Sequence, residues 1–173
     1  APGDVPSPQG LKVVLDVHGK PRHSVRGIVV HRKHLYVAGE AGNVVKVYEV
    51  KTGRLVARIR VEKLAKPVHL FLHGDTLYIG AAGTGSILAY DIPKEAPSGK
   101  LKARVVIDGK LKAPSGFAIG PDGDLYVADR AQNVVVQLDS NGHLLNAAWL
   151  SLPRPRLVVS GGDRIWVSSD GDA

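Results

Sequence analysis

The chain has no cysteine and no methionine among its 173 residues. The absence of cysteine excludes disulfide bonds, thiolate metal sites and cysteine nucleophiles. Aromatic residues make up only 5% of the chain and are few in its loops, so the stacking of nucleic-acid bases is weakly supported. No apolar run reaches the roughly 18 residues that a membrane-spanning helix needs.

The start of the chain also lacks a signal peptide, because no apolar segment follows a basic start. Two interpretations of the first residues stay open: a mature end left by signal cleavage, or the cut end of a fragment. A composition without cysteine is compatible with any compartment. The sequence therefore leaves the compartment open, with a secreted or periplasmic location favoured.

The charge is unbalanced, with 23 Lys and Arg against 16 Asp and Glu, a net charge of +7. Such a balance favours acidic partners and anionic ligands. The alternative is that the charge only keeps the protein soluble. Val, Leu, 20 Gly and 11 Pro supply much of the rest, as is typical of all-β proteins with many turns.

A block of the type Leu-Tyr-Val-Ala recurs about every 45 residues, at 35–38, 77–80, 125–128 and 165–168. Around each block the repeat divides into an apolar first strand, a polar hairpin turn, the block as second strand, a small-residue loop and a third strand. A fourth strand follows a Gly-x-Leu signal in most copies. Four-stranded units at this spacing predict the blades of a β-propeller.

The predicted domain is one propeller, or part of one, over residues 1–173. The division is a fourth strand of the closing blade at 10–18, blades at 25–66, 67–112 and 113–152, and a partial blade at 153–173. The last repeat stops at the loop before its third strand. Because the repeat stops at this point, the sequence predicts an incomplete ring of blades. The alternative is a true four-bladed ring.

The segment 113–145 resembles the NHL repeat. It has Pro114 and Gly116 before an apolar run, an Asp-Gly turn at 122–123, a Tyr-Val-Ala-Asp block and then Asn133 before the third strand. The resemblance is looser over 25–66, 67–112 and 153–173. It implies a ring of about six blades, of which this chain would be a part, and it implies no single function.

An incomplete ring would leave strand edges open, which invites association. We therefore expect the chain to form a homo-oligomer, or to bind a companion chain that supplies the remaining blades.

The connectors from each fourth strand to the next first strand lie on the face that is the usual ligand side of propellers similar to this one. Each connector carries two basic residues. Radial repetition would arrange them around the channel mouth and attract an acidic protein or an anionic ligand; the alternative is that they are ordinary solvated loop residues. The eight residues are Lys20, Arg22, Lys63, Lys66, Lys110, Lys112, Arg154 and Arg156.

The inner end of the first strand is a second candidate position. The four repeats have Gly27, His69, Gly116 and Arg156 there, with Arg26 and Ser115 beside them. Since glycine lets backbones crowd around the axis, His69 and Arg156 should project into the mouth. The alternative is a polar plug that is hydrogen-bonded to the main chain.

The resemblance also includes metal-dependent lyases and lactonase-like hydrolases with a site at the central channel mouth. Such a site needs three converging ligands, and His69 and His73 are about 13 Å apart along a strand. The sequence identifies no metal ligand set, no catalytic residue and no cofactor. Asp129 and Arg130 are interpreted as a local structural pair.

The favoured function is therefore an NHL-like binding or interaction module with a basic ligand face. The metal-dependent enzyme is the first alternative, and a structural assembly subunit is the second.

Overall fold

The computed structural model describes residues 25–39, 43–60, 66–95 and 103–171. These ranges contain fourteen β-strands and no helix, which confirms the all-β prediction. None of the described segments is a helix that could cross a membrane. The predicted strand at 10–18 lies outside the described residues.

The strands form three antiparallel four-stranded sheets, each in sequential order, and one hairpin. Blade 1 contains β1 (Val25–His31), β2 (His34–Gly39), β3 (Val44–Glu49) and β4 (Leu55–Arg60). Blade 2 contains β5 (Pro67–His73), β6 (Thr76–Ala81), β7 (Ser86–Asp91) and β8 (Arg104–Ile107). Blade 3 contains β9 (Pro114–Ile119), β10 (Leu125–Asp129), β11 (Val134–Leu138) and β12 (Leu144–Ser151). Blade 4 contains β13 (Pro155–Gly161) and β14 (Arg164–Ser169).

Tight hairpins join the first and second strands because their turns hold residues with positive φ. Gly74 (φ 58°) and Gly162 (φ 60°) supply this conformation in blades 2 and 4, whereas Arg32 (φ 53°) adopts it in blade 1. The left-handed region matches the twist of short β-hairpins. Glycine therefore marks the turns of blades 2 and 4, whereas the turn of blade 1 contains neither Gly nor Asp.

The apolar core lies between successive blades, in three layers. Alternate residues of each strand point to opposite faces of the sheet, so one strand contributes to two layers. The block tyrosines Tyr36, Tyr78 and Tyr126 are buried facing the next blade, while their neighbours Ile79 and Val127 face the preceding blade. The repeated block is thus the central core strand of blades 1, 2 and 3.

The first strands pack backbone against backbone at the inner edge. A Cβ on Gly27 would lie 2.8 Å from the Leu70 amide nitrogen, and one on Gly116 would lie 2.5 Å from the Arg156 carbonyl oxygen. Real Cβ atoms do not approach backbone atoms so closely, so these two positions require glycine. The close approach brings the starts of neighbouring first strands together.

Strand pairing shows which residues occupy the same position in the four first strands, and it corrects one of the predicted positions. The pairs are Val25 with Gly39, Pro67 with Ala81, Pro114 with Asp129 and Pro155 with Ser169. Leu157 is therefore the counterpart of Gly27, His69 and Gly116, and the prediction that Arg156 occupies this position was wrong by one residue. Arg156 instead corresponds to Arg26 and Ser115. A β-bulge follows the first pair in every blade, and alternation in the sequence does not reveal it.

Candidate ligand-binding cleft

Antiparallel strands place the candidate residues at one end of the sheets. The start of each first strand, the end of each second strand and the connectors between blades lie at this upper end, which includes Arg26, Lys66 and Arg130. The hairpin turns with Lys33 and Lys51 lie at the opposite, lower end. The predicted residues that the structure describes therefore share the upper end.

A cleft of about 350 Å³ opens at the upper end across all four blades. Blade 1 contributes Arg26, blade 2 contributes His69, blade 3 contributes Ser115, and blade 4 contributes Arg156. Four of the residues predicted from sequence thus line a single cleft. Arg130, which follows β10, also lines it.

Two arginines of the cleft converge on one carboxylate. Nη1 of Arg156 lies 2.9 Å and Nη2 of Arg130 lies 3.0 Å from the same Oδ2 atom of Asp170. All three side chains are partly exposed. Charge-assisted contacts of this length are among the stronger hydrogen bonds in proteins. The pair of guanidinium groups is therefore arranged around a position that a carboxylate oxygen occupies.

The interpretation of Asp129 and Arg130 as a local pair was wrong, since Arg130 pairs with Asp170. Asp129 is fully buried. It accepts hydrogen bonds from the backbone nitrogens of Lys112 (2.7 Å) and Ala113 (3.1 Å) and from Nε2 of Gln132 (2.7 Å). These bonds tie the connector before β9 to the loop that carries Arg130. Asp129 thus holds the wall of the cleft.

His69 lies at the junction of blades 2 and 3, with its ring edge-to-face against Phe117 at 4.8 Å. Burial lowers the pKa of His69 below its ordinary value of 6.5, and a hydrogen bond with the Phe117 backbone opposes this shift in part. The imidazole is therefore neutral at pH 7. His69 brings a polar ring to the cleft, and the positive charge comes from the arginines.

Ser115 connects blades 3 and 4 at the floor of the cleft. Its hydroxyl lies 3.1 Å from the carbonyl oxygen of Pro155 and 3.4 Å from that of Ala128. Because the hydroxyl donates to the main chain, the alternative of a polar plug describes this residue better than direct ligand contact.

The other predicted basic residues that the structure describes do not line the cleft. Lys20, Arg22 and Lys63 lie outside the described residues. Lys66, Lys110, Lys112 and Arg154 are exposed on the connectors. They add positive charge around the cleft.

Sequence reasoning missed the asparagines that shape two of these connectors. Asn43 (φ 49°) and Asn133 (φ 58°) precede the third strands of blades 1 and 3. Their Oδ1 atoms accept from the backbone nitrogens of Lys66 (3.1 Å) and Arg154 (2.9 Å). Asparagine tolerates the left-handed region and bonds readily to nearby backbone. The Asn that recurs directly before the third strand is the sequence signal that could have revealed this role.

Within the described ranges, no three His, Asp or Glu side chains form a group that could hold a metal ion. Nε2 of His31 lies 2.9 Å from Oδ1 of Asp75, which is a pair and not a set of three ligands. The described part of the chain therefore supplies no ligand set to the metal-dependent alternative.

Four-stranded antiparallel blades packed face to face define a β-propeller, here an incomplete one. Virginiamycin B lyase from Staphylococcus aureus has a similar structure, with 15% identity, a TM-score of 0.67, and 84% of this chain matched to 49% of the lyase. The β-propeller domain of Myceliophteria thermophila Cps50 (Swd1) matches with 12% identity and a TM-score of 0.64, over 84% of this chain and 50% of that chain. The computationally designed Ika4 protein matches with 12% identity and a TM-score of 0.63, over 92% of this chain and 99% of Ika4.

These likenesses show the fold alone, because the identities are low. The chain spans about half the length of the lyase and of the Cps50 domain. The sequence matches no protein-family model and no curated protein. The NHL type therefore rests on the sequence resemblance.

Proposed function

We propose that this chain is a binding module of the NHL-like propeller type, and that the upper cleft binds a carboxylate of an acidic partner protein. The observation that carries the proposal is the convergence of Arg130 and Arg156, both lining this cleft, on the carboxylate of Asp170. The two guanidinium groups of Arg130 and Arg156 against the one carboxylate of Asp170 leave an excess of positive charge. Such an excess in a concave site attracts anions.

Asp170 indicates the geometry that a partner's carboxylate would adopt. Its Oδ2 accepts from two arginines at once, which a partner's Asp or Glu could reproduce by displacing it. Asp170 would then be an internal competitor for the site. Removing its charge should strengthen binding, whereas removing an arginine should weaken binding.

The test measures binding of a fluorescently labelled polyglutamate peptide by anisotropy at low salt. We expect Arg156→Ala to weaken binding by roughly tenfold, as for a lost charge-assisted hydrogen bond. Asp170→Asn should tighten binding. Added salt should weaken it, since exposed charges are screened over about 10 Å at 0.1 M.

Matched control variants distinguish binding at the cleft from a general effect of net charge on binding. Arg164→Ala and Asp163→Asn change the net charge by the same amounts as the two cleft variants. Both residues are exposed at the lower end of the same blade, in the β13–β14 hairpin. Equal effects of the cleft and control variants would mean that net charge alone drives binding, and the proposal would fail.

A further inference from the structure

A β-bulge in each first strand supplies side chains to the upper cleft. The bulge lies directly after the first pair with the second strand. Regular alternation would point two consecutive residues to opposite faces of a sheet, whereas a bulge re-aims side chains. Every bulge residue that has a side chain lines the cleft, and the two glycines complete the set. The bulge residues are Arg26 and Gly27, Val68 and His69, Ser115 and Gly116, and Arg156 and Leu157.

Half of the residues that line the cleft are apolar. The bulges of blades 2 and 4 each place an apolar side chain, Val68 or Leu157, beside a polar one. The segments around the end of β6 and the start of β9 add Ala82, Ala113 and Pro114. Sites for organic ligands combine apolar walls of this kind with a few placed polar groups. The wall therefore favours a ligand that carries an apolar group next to its charge.

The charged end of a ligand is placed at the side of blades 3 and 4, where Arg130 and Arg156 converge on Oδ2 of Asp170. Each of these arginines has an apolar lining residue as a direct neighbour. Leu157 follows Arg156 in the chain, and the backbone nitrogen of Arg130 donates to the carbonyl oxygen of Ala113 at 3.0 Å. A carboxylate held by the two arginines would thus carry its attached carbon atoms beside the apolar wall.

His69 brings a hydrogen-bond acceptor to the same cleft. A hydrogen bond with the Phe117 backbone raises the pKa of His69 and opposes the larger effect of burial, so a ring nitrogen donates to the carbonyl oxygen. In a neutral imidazole the other ring nitrogen is an acceptor. The cleft therefore combines a carboxylate position, an apolar wall and an acceptor.

The C-terminal residue of a polypeptide carries the matching three groups on one Cα atom. These are a carboxylate, a side chain that can be aliphatic, and a backbone N–H. Aspartate and glutamate side chains lack an aliphatic group beside the carboxylate, and a free aliphatic acid lacks the N–H. The chemistry of the cleft thus distinguishes a chain end from these other carboxylates.

We propose that the cleft binds the C-terminal residue of a partner chain, and that this residue has an aliphatic side chain. Its carboxylate takes the position of the Asp170 carboxylate, its side chain lies on the wall formed by Val68 and Leu157, and its N–H donates to His69. The cleft volume of about 350 Å³ is in the range of small-ligand sites. This inference rests on the proposed function, since it names the carboxylate that the arginines bind.

The test measures the anisotropy of three N-terminally labelled tetrapeptides that differ only at their last residue. The first ends in leucine with a free carboxylate, the second in leucine amide, and the third in glycine with a free carboxylate. The leucine acid should bind roughly tenfold more tightly than the glycine acid, because a leucine side chain leaves water. It should also bind roughly tenfold more tightly than the amide, which lacks the charge.

Variants of the apolar wall test the contact with the aliphatic side chain. Val68→Thr and Leu157→Asn replace apolar groups by polar groups of similar size, so each should reduce the preference for leucine over glycine to about threefold. The affinity for the glycine acid should stay unchanged. Val50→Thr and Leu144→Asn are the matched controls, at exposed apolar residues of the lower end, and should keep the wild-type preference.

A free acid distinguishes a chain end from a small molecule with the same carboxylate. 4-Methylpentanoate has the aliphatic group and the carboxylate of leucine but no N–H. At constant total salt, it should displace the labelled leucine peptide only at a concentration about fivefold above that of the unlabelled peptide, as for one lost hydrogen bond. His69→Phe keeps an aromatic ring beside Phe117 without an acceptor, and should remove this difference.

The outcomes separate this inference from the proposed function. Equal binding of the leucine and glycine acids, with both weakened by Arg156→Ala, would overturn the aliphatic end and leave the carboxylate site. Equal displacement by 4-methylpentanoate would overturn the chain end and identify a free aliphatic acid as the ligand. No binding of any peptide, or binding that Arg156→Ala leaves unchanged, would overturn both proposals. Circular dichroism of each variant establishes that it is folded.

Discussion

His69 is the titratable side chain of the cleft whose protonation is coupled to folding. Burial beside Phe117 lowers its pKa below 6.5 in the folded protein. The unfolded chain therefore binds a proton at a higher pH than the folded chain does. By linkage, stability contributed at this residue is lost as the pH falls below about 6.5.

We predict that His69→Gln removes part of the loss of stability between pH 7.5 and pH 5. The glutamine keeps a polar side chain but does not titrate, so wild type should lose more thermal stability over this interval than the variant. The measurement is the melting temperature across the pH series. His73→Gln, at an exposed residue at the other end of the same strand, is the control. Parallel pH profiles for wild type and His69→Gln would contradict the assignment.

Asp170 and the two arginines show how strongly single residues determine the cleft. Arg130 follows a second strand and Arg156 opens a first strand, yet both reach the same carboxylate oxygen. Each pair is partly exposed, so its contribution to stability is modest. The two pairs matter because they hold the guanidinium groups of Arg130 and Arg156 in fixed positions in the cleft.

At the scale of the strands, neighbouring first strands pack closely at the inner edge. β9 and β13 approach so closely that a Cβ on Gly116 would lie 2.5 Å from the Arg156 carbonyl oxygen and 2.7 Å from the Leu157 Cα. Both neighbours are backbone atoms, which cannot rotate away. The junction of blades 3 and 4 thus requires glycine at this position.

We predict that Gly116→Ala destabilises the protein by about 1–3 kcal/mol, the usual cost of overpacking a close contact. It should also weaken binding of the polyglutamate peptide, because Arg156 moves with β13. Urea unfolding measures the first effect and anisotropy the second. Gly162→Asn is the control, since Gly162 has a left-handed φ that Asn tolerates and nothing lies within 4 Å of its Cβ position. If both variants lose the same stability, the close approach is not the cause.

The outer edge of blade 3, unlike the closely packed inner edge, is open to solvent, because β12 is exposed along its whole length. Trp149 packs edge-to-face on Tyr126 at 4.7 Å. The blade 4 hairpin leaves this strand uncovered. The contrast with β4 and β8, which keep buried residues, follows from the two-stranded form of blade 4.

At the scale of the whole molecule, the array has apolar residues exposed at both ends. Association through these exposed residues would bind folded chains only. Partner binding to the folded state stabilises it by mass action and makes the melting temperature depend on concentration.

We therefore predict that the melting temperature rises as the concentration of the 173-residue chain increases. Differential scanning calorimetry over a hundredfold range of concentration measures it. The Ile28→Asp variant should melt at one temperature throughout the range. A concentration-independent transition for wild type would contradict self-association, and a rise in both proteins would indicate association through another surface.

The sequence by itself determined the four-stranded repeat and its division into blades. Apolar alternation, Gly and Asp turns and the recurring Leu-Tyr-Val-Ala block are local signals, and each specifies strand or turn within a few residues. The sequence also assigned four cleft residues to one end of the array, because each repeat places the same position at the same end of its blade. These residues are Arg26, His69, Ser115 and Arg156. The NHL type, the ligand and the companion chain stay predictions.

Only the tertiary structure decided the register of β13 and the composition of the cleft. The pairing of β13 with β14 places Leu157, and not Arg156, at the position of Gly27, His69 and Gly116, and the pattern of apolar residues does not specify this pairing. Arg130 reaches Asp170 across 40 positions of the chain, and Lys66 and Arg154 stay on the rim. These outcomes depend on how blades stack and how loops bond to neighbouring backbone, which are contacts between residues distant in the chain.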